Sequence, residues 1–207
     1  MKPADQYRGA DALALPREAA MVEQQFGRDP ATKAQAAAHE AGHVIVAHAA
    51  GALVTGARLF EASRGIWAGT TNHISPDPDG TIGNGEAGFS TVAAAPVCAF
   101  RFAVINAAGF AGEVLAGLDH PASSLDERSM ARRVCAELDR VLNWADGAAL
   151  RLVGAFTHDA LGDHRAQFAA IRAHLDRNRR ITRSEAARML ASVKQADLSA
   201  VLMGGAQ

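Results

Sequence analysis

The sequence predicts a mainly helical fold with a small β-hairpin or short sheet, and three observations carry that prediction. Aromatic residues make up only 5% of the 207 residues while alanine is abundant, a bias that suits closely packed helices better than a β-sandwich. One stretch alone, residues 53–74, has the β-branched, turn-punctuated texture of strands. Capping signals recur ahead of runs with helical apolar spacing. A hydrophobic fraction of 49% supplies ample material for a core. With 21 basic and 22 acidic residues, the net charge of −1 points to neither nucleic acid nor an anionic membrane as a partner.

Taken in order, residues 1–28 read as an N-terminal segment with one short helix, bracketed by Pro16 and Gly27 and carrying Met21, Val22 and Phe26. Residues 29–207 read as one domain. Asp29-Pro30 supplies a cap and a first-turn proline for an alanine-rich helix that runs to His48 and stops near Gly51. A hairpin follows, with Val54, Thr55, Leu59 and Phe60 before the Arg64-Gly65 turn and Ile66, Trp67, Thr70 and Thr71 after it. Pro76 to Gly88 is a loop by its turn residues. Its Gly83-Asn84-Gly85-Glu86-Ala87-Gly88 spells G-x-G-x-x-G, but no βαβ unit surrounds it, so it reads as a mobile loop rather than a nucleotide site.

From Pro96 to about Leu118 the pattern is a long, deeply buried helix. Arg101, Asn106 and Glu113 interrupt it, so no membrane-spanning segment is expected. Ser124-Leu125-Asp126-Glu127 matches a capping box and opens a helix carrying Val134 and Leu138. Further amphipathic helices follow, with Phe168, Ile171 and Leu175 on one face and a second capping box at Thr182-Arg183-Ser184-Glu185. Cys98 and Cys135 have no C-x-x-C partner and read as buried free thiols. The N-terminus lacks a secretory signal, and a cytoplasmic location is expected.

The chemistry is concentrated in His39-Glu40-Ala41-Gly42-His43. On a helix, residues four apart share a face, so His39 and His43 can direct their imidazoles at one Zn²⁺ ion while Glu40 reaches a water beside it. In a chain of this composition H-E-x-x-H arises by chance about once in a hundred, so coincidence is disfavoured. Val44, Ile45 and Val46 follow directly and place the helix in the interior, where unpaired polar groups are costly. A third ligand is required, and the motif does not continue as H-E-x-x-H-x-x-G-x-x-H. Spacing leaves Glu113, Asp119, His120 and Asp126 all open as candidates.

Ala38 to Val46 resembles the zinc helix of the FtsH-type (M41) metallopeptidases. Ala108-Gly109-Phe110-Ala111-Gly112-Glu113 resembles that family's Gly-Arg-Ala-Ala-Glu-Glu helix, with Phe110 in place of the Arg. Ala122-Ser123-Ser124-Leu125-Asp126 resembles its Gly-Ala-Ser-Asn-Asp segment. The resemblance covers about residues 33–135, the zinc site, with residues 136–207 as a helical C-terminal part. It implies Asp126 as the third zinc ligand, Glu40 as the catalytic base, and a hairpin that borders the active site and can hold an extended substrate by strand addition.

The function so implied is zinc-dependent hydrolysis of peptide bonds in peptides or unfolded proteins. No G-x-x-x-x-G-K-[ST] occurs, so the chain is expected to act without its own ATPase, with a separate unfoldase as a candidate partner. A homo-oligomer is left open. The competing readings are a non-catalytic, peptidase-like interaction module and a zinc amidohydrolase acting on a small substrate.

Overall fold

A computed structural model describes residues 31–76, 89–118 and 124–204. The expected N-terminal helix, the Asp29-Pro30 start, the glycine loop at 83–88, Asp119 and His120 lie outside the described residues. The observed order is α1 (Lys33–Ala49), β1 (Leu53–Ser63), β2 (Ile66–Ile74), α2 (Phe89–Ala94), α3 (Pro96–Leu115), α4 (Leu125–Leu142), α5 (Ala148–Asp163), α6 (Arg165–Asn178), β3 (Arg180–Ile181), α7 (Arg183–Met189) and α8 (Leu198–Gly204). The protein is mainly helical, with a small three-stranded antiparallel sheet.

Helix α1 begins three residues later than Asp29-Pro30 suggested, at Lys33 with Thr32 as its cap. Thr32 accepts a hydrogen bond from the Gln35 backbone N–H, and the Gln35 side chain accepts one from Thr32 N–H, so Thr-x-x-Gln forms a complete capping box. Nearly every later residue of α1 is buried, as expected of a helix that is apolar on all sides. Its main partner is α3, which runs antiparallel to it and meets it along small residues. A Cβ added to Gly42 would lie 2.3 Å from the Ala108 carbonyl oxygen, and one on Gly112 would lie 2.5 Å from that of Ala38. No larger residue fits at either place without moving a backbone.

Helix α3 stops at Leu115 rather than Leu118. The Leu118 N–H donates to Glu113 O and the Gly117 N–H to Val114 O, with Gly117 at φ +66°, which is the Schellman ending that glycine allows. This is the one helix among the described residues long and apolar enough to cross a membrane, and 67% of its apolar window is buried by the rest of the protein.

Helices α4, α5 and α6 close around the α1–α3 pair, and Phe100, Leu138, Val153, Ile171 and Leu175 fill the core between them. Asp139 of α4 accepts from Gly147 N–H and Ala149 N–H, both at 2.7 Å, so its carboxylate caps the start of α5. The hairpin turns at Gly65, φ +79°, as Arg64-Gly65 predicted. Sequence reading missed β3, which pairs Arg180 with Arg58 and Ile181 with Ala57. Two residues are too few for any periodic signal. The sheet order is β2-β1-β3, which leaves β2 at an edge.

Candidate metal centre

His39 and His43 lie one turn apart on α1 and turn their Nε2 atoms toward each other, 3.0 Å apart. Across from them stands Glu127, in the first turn of α4, with Oε2 3.3 Å from His39 Nε2 and Oε1 3.3 Å from His43 Nε2. The three side chains form a His-His-Glu group compact enough to hold a metal ion. Four ligands at about 2.0–2.1 Å around a tetrahedral zinc are roughly 3.3 Å from one another, close to the three separations seen. Glu127 Oε2 is buried and accepts no hydrogen bond of good geometry, although the two imidazoles face it. Two imidazole nitrogens and a carboxylate converging on one point make a donor set suited to zinc.

Asp126, the residue implied as third ligand, is exposed and is not in this group. The next residue along the same helix, Glu127, points inward instead. The Ser124–Glu127 capping box behind the sequence assignment does not form. Ser124 makes no side-chain cap bond, and its buried hydroxyl has no hydrogen-bond partner among the described residues. Glu127 has left the helix start for the histidines.

Glu113 of α3 is 1% exposed and sits behind the group, with Oε1 2.7 Å from His39 Nδ1. The Nδ1–H donates to this carboxylate, which orients the ring so that Nε2 is the atom turned toward the metal position, as outer partners of metal-binding histidines ordinarily do. Gly109 lets this happen, because a Cβ there would fall 2.2 Å from the His39 ring. Burial alone would push the His39 imidazole down, but the hydrogen bond to Glu113 and the facing charge of Glu127 outweigh it and hold its pKa at about 10 in the metal-free protein. Burial would likewise raise Glu127. The hydrogen bonds and charges of His39 and His43 overcome that and hold its carboxyl well below the usual carboxylate range.

Glu40 is 3% exposed and lines the same cleft, a space of about 330 Å³ between β2 and α3. The Thr71 hydroxyl donates to Glu40 Oε2 at 2.7 Å and fixes the carboxylate. Gly69 makes room for it, since a Cβ there would lie 2.3 Å from Glu40 Cγ. Phe102, Ile105 and Met130 form an apolar wall opposite the strand. A roomier hollow of about 660 Å³, walled in part by Phe156, Asp163, His164 and Val201, lies elsewhere. Among the described residues it brings together no second metal-ligating group.

No protein-family model matches this chain, and no curated protein matches it. The functional reading therefore rests on geometry.

His73, given no role by its position in the sequence, lines the cleft with Glu40 and His43. Its pKa is lowered by burial first and by the nearby His43 second, against a hydrogen bond at Thr71. Only the β2 register brings it there, so spacing held no signal for it. Cys135 is buried as expected, while Cys98 is half-buried in the cleft wall.

Strand β2, an edge strand of the sheet among the described residues, also borders the cleft. Leu59 N–H donates away from β2, to Arg179 O, so the facing Gly69 directs its own N–H and C=O outward to the edge. Trp67 does the same, donating to Ala31 O. By two-residue alternation Thr71 and His73 continue the row beside Glu40.

Proposed function

We propose that this protein is a zinc-dependent peptidase of the FtsH type, which hydrolyses peptide bonds in extended peptides or unfolded chains without an ATPase of its own. The observation that carries the reading is the juxtaposition of the His39–His43–Glu127 group with a separate buried carboxylate, Glu40, in a cleft bordered by the edge strand β2. A purely structural or storage metal site does not call for a second, positioned carboxylate.

His39, His43 and Glu127 would hold the zinc, with Glu113 orienting His39. Bound there, zinc supplies Lewis acidity to a water and to the scissile carbonyl. Glu40 takes the proton of the attacking water and later returns it to the leaving amine. Thr71 keeps the Glu40 carboxylate turned into the cleft for both transfers. The outward N–H and C=O of Gly69 and Thr71 would hold the substrate backbone as an added strand beside Glu40. The apolar wall of Phe102, Ile105 and Met130 accepts a substrate side chain and excludes water.

The test is zinc content together with casein hydrolysis in the wild type and in Glu40→Gln. The expected result is equal zinc in both proteins with turnover reduced at least about a thousandfold in the variant. An active Glu40→Gln protein would sink the mechanism, and zinc binding without any hydrolysis by the wild type would favour an interaction module.

A further inference from the structure

The face of the sheet turned away from α1 carries an arrangement that the cleft does not use. The register sets Arg58 on β1 between Thr70 on β2 and Arg180 on β3 as Cα partners, so two arginines stand side by side across adjacent strands. Like charges directly opposite one another weaken a sheet. Both arginines are exposed, and among the described residues neither has an ion-pair partner. The acidic side chains of the neighbouring segments are engaged elsewhere: Glu61 with Gly65 N–H, Glu185 with Thr182 and His174, and Asp176 with Lys33.

The same face is unusually apolar. Phe60 is 42% exposed beside Arg58, whose guanidinium lies 5.6 Å from the ring centre. Leu53 and Ile74, cross-strand partners at the open end of the hairpin, are exposed, and so is Ile66 near its turn. Of the five large apolar side chains exposed among the described residues, four are on this hairpin, which marks it as a contact surface rather than ordinary solvated sheet.

Charge selects the occupant. A second copy laid face to face would set arginine against arginine. A nucleic acid fits a basic stripe on a basic chain, whereas here the net charge is −1 and the two cations are set among apolar groups. An acidic polypeptide segment with interspersed apolar side chains meets both features, because carboxylates pair bidentately with arginine while the apolar groups cover Phe60 and its neighbours.

We propose that the outer sheet face around Arg58, Arg180 and Phe60 is an exosite that captures acidic, partly apolar polypeptide segments. Strand β2 is common to this face and to the cleft, so a chain held on the face is kept within reach of Glu40 and the histidines. The delivery of captured chains to hydrolysis rests on the peptidase reading; the binding does not.

Two measurements test it. In the first, zinc-loaded Glu40→Gln protein is titrated into a fluorescently labelled poly(Glu,Tyr) copolymer, with a single-stranded oligothymidylate as comparison. Micromolar binding of the copolymer is expected, weakened at least tenfold by Arg58→Glu with Arg180→Glu and several-fold by Phe60→Ser, with zinc content unchanged as the sign of intact folding. Absence of copolymer binding, indifference to the charge reversal, or tighter binding of the oligonucleotide would each overturn the proposal. In the second, the charge reversal in the active protein should raise KM for casein at least fivefold and leave kcat, and cleavage of a short uncharged peptide, as they were. An unchanged KM overturns the exosite. If the wild type cleaves nothing, the peptidase reading fails and the copolymer titration alone decides the binding.

Discussion

At Glu127 two structural uses of a carboxylate compete, and the metal position wins. As the last residue of Ser124-Leu125-Asp126-Glu127 it could close a capping box, worth about 1 kcal/mol. Facing two imidazoles, it instead completes a charged cluster with two largely buried partners, a larger electrostatic effect than a solvated cap. The expected consequence separates neighbours on one helix. Glu127→Ala should weaken zinc binding by more than the roughly 10–100-fold typical of losing an outer partner, Glu113→Gln should fall within that range, and Asp126→Asn should change it little. Competition with a chelating dye measures all three, and a large loss in Asp126→Asn would return the ligand role to Asp126.

The packing of α1 on α3 is what holds these side chains in register. Gly112→Ala places a methyl group against the Ala38 carbonyl oxygen and must push the helices apart. The expected cost is about 1–3 kcal/mol. Because Glu113 follows on the same helix, zinc affinity should fall together with stability, as a denaturation series with and without zinc would record. Asp139 supports a different junction, capping α5 from α4 while 5% exposed. Asp139→Ala leaves two backbone N–H groups near the interior without their acceptor and should cost about 2–3 kcal/mol in urea denaturation. Zinc binding should be retained there, since neither helix end touches the histidines.

For the molecule as a whole, the site couples stability to pH and, on the proposed reading, to metal. His39 has a folded pKa of about 10 against an ordinary 6.5, so its contribution is fully present below pH 6.5 and is lost as pH rises toward 10. Glu127 is held below its ordinary 4.5, so its contribution is present above that value and is lost as pH falls beneath it. Zinc bound as proposed would take the place of the His39 proton, and its binding should therefore strengthen as pH rises from 6.5. At free zinc a hundredfold above Kd the gain is about 2.7 kcal/mol, or roughly 5–11 °C in Tm for a chain of this size. Thermal melts from pH 6.5 to 9 at fixed free zinc should show the gap between loaded and metal-free protein widening. A gap that narrows would contradict neutral-imidazole ligation at His39.

How much was legible differs from residue to residue for physical reasons. The four-residue spacing of His39 and His43 is a property of the helix itself, so the sequence determined that both face one point and that Glu40 lies one step around. Alanine-rich helices, the Arg64-Gly65 turn and the Thr182–Glu185 cap are local in the same sense, and each is where its residues put it. The third side chain of the metal group was not local. Whether Asp126 or Glu127 reaches the histidines depends on how α4 is rotated against α1 and α3, and a single position, about 100° of helix turn, exchanges inside for outside. The same holds for His73, for Glu113 behind His39, and for β3, whose two residues become a strand only because β1 is there to pair with them. The sequence determined the two-histidine helix and the helical character of the chain; tertiary structure decided the third carboxylate, the cleft and the sheet face, because those depend on contacts between segments far apart in the chain.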